Sequence, residues 1–97
     1  MIIRVFRAEV HPGKTAEFEQ FFRDIAIPKV SAHPGLVAQH TGRPIDDGSR
    51  EFVYISVWRD VEALRGFAGD DWTLAVIEPE ERHLLATTSI AHYETLD

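Results

Sequence analysis

The chain has 97 residues, 44% hydrophobic, 10% aromatic and 27% charged, with a formal net charge of −6, the proportions of one folded globular domain spanning residues 1–97. The acidic balance argues against nucleic acid and anionic membrane surfaces as partners, since both require a basic face. Cysteine is absent, which excludes disulfides, thiolate nucleophiles and cysteine-held metals.

Residues 2–10 are rich in β-branched and aromatic side chains and stop at His11-Pro12-Gly13, which predicts a strand. Over residues 14–27, Phe18, Phe21, Phe22 and Ile25 fall at i, i+3, i+4 and i+7, the stripe of an amphipathic helix. Pro28 lacks an amide hydrogen and is expected to end or kink that helix, with a short extension to about Ala32. Residues 36–41 predict a second strand and 42–50 a loop. The clearest strand is 52–58, where Val53, Ile55 and Val57 form an apolar face opposite Phe52, Tyr54, Ser56 and Trp58. Asp60 is a good N-cap for a short helix that turns Leu64, Phe67 and Ala68 inward. Asp70 and Asp71 are placed to cap a further helix over 72–77, stopped by Pro79, and residues 84–93 form the last strand.

The order β-α-β-β-α-β is that of a ferredoxin-like α+β domain, with a four-stranded antiparallel sheet and both helices on one face. The β-branched face of the third strand is expected beneath the helices. The aromatic face, with Phe6 as a neighbour, is then expected to stand bare. A single core of this size is marginal, so a second copy would cover the bare face and enclose a cavity between two sheets. No apolar run approaches the ~20 residues of a membrane span and no secretory leader is visible at Met1-Ile2-Ile3-Arg4, so a cytoplasmic location is expected.

Three stretches carry a resemblance: Val10-His11-Pro12-Gly13-Lys14, His33-Pro34-Gly35-Leu36, and the strand from Phe52 to Trp58 with Arg59-Asp60 and Glu62-Ala63-Leu64 after it. Together they resemble the antibiotic-biosynthesis-monooxygenase domain family over nearly the whole chain. The resemblance implies a dimeric α+β barrel of two such subunits. It also implies activities ranging from cofactor-independent oxygenation of electron-rich polycyclic aromatics to haem degradation. The haem-degrading branch uses an Asn, a Trp and a His where this chain has Phe6, Phe67 and a position near Ile77, so none of that set carries over. Many other members place a His in the helix after the third strand, where this chain reads Phe67-Ala68-Gly69-Asp70-Asp71-Trp72.

Oxidation without metal or flavin needs a substrate acidic enough to become a carbanion, a dry pocket, a base or anion stabiliser, and flat walls. Phe6, Tyr54, Trp58, Phe67 and Trp72 are the candidate ligand-binding walls, unless they only pack the barrel and dimer seam. His40 and His92, on predicted strands, are candidates for proton transfer because a histidine titrates near neutrality. Arg4 shares a strand parity with Phe6 and is a candidate enolate or carboxylate stabiliser. Glu80 and His83 have ligand spacing but stand alone, so no metal is expected. The acids Asp70, Asp71, Glu78, Glu80 and Glu81 read as helix-end and solubility groups. The leading expectation is a homodimer that binds a small aromatic or polyketide-like molecule and oxidises it with molecular oxygen and no cofactor. The alternatives are a non-catalytic dimeric ligand-binding or stress-associated module, and a haem-binding protein using His40 or His92 as axial ligand.

Overall fold

The computed structural model describes residues 1–96. Strands β1 (Ile2–Val10), β2 (Leu36–Gly42), β3 (Glu51–Trp58) and β4 (Leu85–Glu94) form one antiparallel sheet in the order β2-β3-β1-β4. Between β1 and β2 runs a helical rod made of α1 (Thr15–Phe21), a π-helical turn (Phe22–Ala26) and α2 (Ile27–Ser31), and α3 (Val61–Ala68) links β3 to β4. This is the expected β-α-β-β-α-β order. No helix among the described residues is long and apolar enough to cross a membrane.

Pro28 neither ends the rod nor breaks it. The proline ring crowds the carbonyl four residues back, and the wider π turn ending at Ala26, where the Ile27 amide bonds the Phe22 carbonyl, accommodates it. Asp60 caps α3 as its sequence position predicts, its Oδ1 accepting from the Ala63 amide at 2.8 Å. That bond holds the Asp60 carboxyl below its usual range.

The expected helix over 72–77 is absent. The chain makes a turn in which the Leu74 amide bonds the Asp71 carbonyl, then runs without regular structure towards a tight turn and a 3-10 turn at Arg82–Leu84. A helix would need the carbonyls of Trp72 and Leu74 for its own ladder, and Arg4 takes both, at 2.6 and 2.9 Å. Thr73, Val76 and Ile77 are β-branched, which weakens any competing helix. The result is a strap, residues 70–81, laid over the end of the sheet.

The orientation of β3 is the reverse of the expectation. Phe52, Tyr54, Ser56 and Trp58 lie buried under the helices, while Val53, Ile55 and Val57 are half-buried on the open side. Both faces of β3 are apolar, so alternation gives no polar side to point outward. The helical rod decides the matter. Phe18, Phe21 and Phe22 need deep apolar partners, and Phe22 meets Phe52 and Tyr54 edge-on with centroids 5.9 and 5.7 Å apart. Small β-branched side chains would leave that layer unfilled. The open face therefore carries Ile3 and Val5 of β1 beside Val53, Ile55 and Val57, with Ala91 and Tyr93 of β4 in register.

Candidate functional site

Between the sheet and the helices lies a cavity of about 60 Å³, room for a few water molecules. Its sheet wall is Arg4 and Phe6 of β1 with Tyr54 and Ser56 of β3, and its helix wall is Phe22, Ala26, Lys29 and Val30. Phe67 of α3 closes one end, and Val76, Glu78 and Glu81 of the strap close another. The spacing on the rod follows from helical geometry, since residues 22, 26 and 30 share one side, and the π turn lies where that side meets the cavity. Lys29 is the one exposed residue of this lining and marks the rim, where its Nζ pairs with Glu78 Oε2 at 3.0 Å.

Arg4 organises the polar end of the site. It is 4% exposed, and Nη1 donates to both the Trp72 carbonyl and His92 Nε2, at 2.6 and 2.8 Å. A guanidinium has no acceptor, so His92 Nε2 must accept and its proton must sit on Nδ1. Burial, with the Arg4 charge beside it, holds the His92 pKa below its ordinary value. His92 is thus a neutral support for Arg4. Its ring also stands edge-on to Trp72, with centroids 5.1 Å apart. Among the described residues no carboxylate pairs with Arg4, and the Phe67 ring lies 5.8 Å from its guanidinium carbon. Burial lowers the Arg4 pKa to about 10, which still leaves it charged at neutral pH. Two of its five N–H groups have no hydrogen bond to the described residues, so an anion in the cavity has a donor available.

The other two polar groups of the sheet wall, Tyr54 and Ser56, are already hydrogen-bonded. The Tyr54 hydroxyl donates to Gln39 Oε1, and burial pushes its pKa up to about 12. Ser56 Oγ accepts from Trp58 Nε1 at 2.9 Å.

The sequence-derived candidates separate clearly on this geometry. Arg4, Phe6, Tyr54 and Phe67 line the cavity. Trp58 stands behind the wall, stacked on Phe67 with centroids 5.4 Å apart and planes 12° from parallel. Trp72 and His92 reach the site only through Arg4. His40 pairs with Ile55 across the sheet, so it faces the open side, away from the cavity, and is exposed. His83 pairs with Glu17 at 3.0 Å on the surface.

Glu81 escapes a reading from sequence. It stands in an acidic run next to Pro79 and reads as a solvated cap, yet it is 3% exposed and lines the cavity. Nothing local marks it. The only hint is Leu84 three residues on, whose burial pulls the start of the 3-10 turn inward.

A family model described as antibiotic biosynthesis monooxygenase matches residues 1–78. SnoaB, a cofactor-independent oxygenase from Streptomyces nogalater, has a similar structure with a TM-score of 0.72 and 28% identity over 99% of this chain and 93% of that one. PA3566 from Pseudomonas aeruginosa superposes with a TM-score of 0.76 at 20% identity, over 99% of this chain and 94% of the other. A mutant of MhuD with two manganese protoporphyrin IX molecules bound per active site shares the fold, with a TM-score of 0.73 and 19% identity over 99% and 95% of the two chains. No curated protein matches the chain in sequence.

Proposed function

The chain belongs to the antibiotic biosynthesis monooxygenase family, and on that premise we propose that its cavity binds a small, flat, partly aromatic molecule of polyketide type and oxidises it with molecular oxygen, without a bound cofactor. The observation that carries this reading is the cavity itself: Phe6, Phe22 and Phe67 supply flat apolar walls, and Arg4 stands among them as a buried cation with donors to spare. The likeness to SnoaB supports the reading.

The chemistry asks three things of the protein. The ligand must be held flat, kept from water and helped to carry negative charge once it loses a proton. The phenyl walls do the first two. Arg4 does the third, because a charge-assisted bond from a guanidinium in a dry site is worth more than the same bond in water. A ligand of several rings needs more room than this cavity offers, so binding it requires the lining to part, and the strap ahead of the turn at Glu78–Glu81 is the stretch of lining without regular secondary structure. That stretch is held to β1 by the Arg4 bonds to the Trp72 and Leu74 carbonyls.

Oxygen uptake with purified protein and a panel of anthrones and quinols tests the proposal. The expected result is uptake faster than buffer with at least one carbon-acid substrate. Uptake no faster than buffer across the panel removes the oxygenase reading, and quenching of tryptophan fluorescence without uptake would leave a ligand-binding module.

The open sheet face is the proposed seat of a second copy of this chain. Ile3, Val5, Val53, Ile55 and Val57 make a continuous apolar surface there, and apolar area of that kind is costly to leave wet. Sedimentation equilibrium is expected to show a dimer that Ile55→Lys converts to monomer without unfolding. A wild-type monomer at micromolar concentration would overturn the assignment.

A further inference from the structure

We propose that Glu81 is the proton acceptor of this cavity, removing the acidic hydrogen of a carbon acid or phenol such as an anthrone bound against the phenyl walls. The inference rests on the cavity being a ligand site, as proposed above, and adds the group that starts the reaction.

Three observations carry it. First, Glu81 is 3% exposed, yet its one hydrogen bond to the described residues is from the Glu78 amide to Oε2 at 3.4 Å, at the long limit of such a bond. Its other oxygen has no hydrogen-bond partner among the described residues. Second, no cation among the described residues pairs with it. Lys29, the lining residue that would do so, is turned to Glu78 at the rim, and the charges that act on Glu81 are the carboxylates of Glu78 and Glu80. Third, the backbone that carries the carboxyl is fixed at the cavity. The Glu81 amide bonds the Glu78 carbonyl at 3.1 Å, and its carbonyl takes the amide of buried Leu84 at 2.8 Å.

Elimination points the same way. Of the charged and titratable groups around the cavity, Arg4 from β1 only donates and Tyr54 from β3 keeps its proton far above neutrality. Lys29 from α2 is in an ion pair, and Glu78 is its partner. Burial first, and then the like charges of Glu78 and Glu80, push the Glu81 carboxyl up to about 7. A base that titrates near the working pH is strong enough to remove a proton and yet free to receive it.

The step balances without an oxidant. The ligand C–H bond breaks, an O–H bond forms on Glu81, and the electron pair stays on the ligand, where its charge spreads to the keto oxygen. Arg4, on the sheet wall of the same cavity, offers its uncommitted N–H groups to that oxygen. Oxygen enters only afterwards.

The competing role for Glu81 is that of a turn cap, its carboxyl returning a bond to the Glu78 amide. Glu81→Gln separates the two, because the amide oxygen can still accept that bond but cannot take a proton. The probe is 1,8-dihydroxyanthrone mixed with the protein without oxygen, with the coloured anion followed by absorbance. Wild type is expected to form the anion faster than buffer, with a rate that rises with pH through about 7, where Glu81 loses its proton. E81Q is expected to bind the probe, seen by tryptophan quenching, while anion formation falls roughly 10²–10⁴-fold. Glu81→Asp should keep part of the rate. If E81Q does not fold, E81D and the carboxyl C=O stretch of wild type carry the test, the stretch titrating near neutrality.

Linkage supplies a readout that needs no ligand. The folded carboxyl binds its proton more tightly than the ordinary value of 4.5, so wild-type stability should fall as pH rises between 4.5 and about 7. That slope should flatten in E81Q. A rate unchanged in E81Q, a carboxyl titrating in the ordinary range, or no acceleration by wild type would each overturn the proposal. Anion formation by wild type with no oxygen uptake in air would remove the oxygenase reading and leave Glu81 standing. Oxygen uptake that survives E81Q unaltered would do the reverse.

Discussion

Trp58→Ala is expected to destabilise the fold by about 3–5 kcal/mol, the range for deleting a large buried aromatic. Trp58 is fully buried where β3 meets α3, and it carries three attachments: the stack on Phe67, an edge contact to His33 at 6.5 Å, and the bond from Nε1 to Ser56 Oγ. A domain of this size has only about 5–15 kcal/mol of stability in total, and each kcal/mol shifts the melting temperature by about 4–8 °C. The variant should therefore be largely unfolded at working temperature or close to it, as a denaturant titration would show. Trp58→Phe keeps the stack and frees Ser56 Oγ for water in the cavity, so it should cost much less and leave probe binding near that of wild type. The pair of variants decides whether Trp58 acts on the ligand directly. It lies behind Phe67, outside the cavity lining, so binding should follow Phe67 and not the indole.

Gly35→Ala is the second large effect, at about 2–5 kcal/mol from a left-handed backbone plus overpacking. Gly35 has φ +87, and a Cβ built there would sit 2.4 Å from the Ala63 Cβ on α3. Neither atom is the end of a flexible side chain, so the helix itself must move. Its carbonyl also takes the Arg59 amide at 2.8 Å, just before the Asp60 cap. Gly35 is thus the point where the β2 entry and the start of α3 touch backbone to backbone. Displacing α3 carries Phe67 away from the cavity, so probe affinity should fall along with stability. The double variant Gly35→Ala with Ala63→Gly removes the second methyl. It should recover the overpacking share while keeping the strain of φ, less about 1 kcal/mol for a glycine inside a helix. Purely additive losses in that cycle would show that the contact does not limit packing.

The elements with a local signal were legible from residues alone. β1 and β3 announce themselves by β-branched and aromatic runs, α1 by its phenylalanine spacing, α3 by Asp60, and the breaks by Pro-Gly pairs. These signals lie within one element, so short-range sterics and capping suffice to produce them. Among the candidate residues, Arg4 and Phe6 could be paired by strand parity, since alternate residues share a face, and Tyr54 and Phe67 were nameable as flat walls.

What could not be read locally is anything settled by two distant segments. The side of β3 that faces the helices was undetermined because both sides are apolar, and only the depth of the phenylalanine layer on the rod selects the aromatic one. The segment 72–77 has helix signals, but Arg4, more than sixty positions away, takes its carbonyls and leaves a strap. Glu81 looks like solvated charge in an acidic run, and becomes a buried carboxyl only because the strap folds it against the cavity. From the sequence alone come the α+β order, the family and the aromatic and cationic ingredients of the site. The tertiary structure decides which face those ingredients share and which carboxyl is kept from water, because burial belongs to the packed whole and no short stretch of chain encodes it.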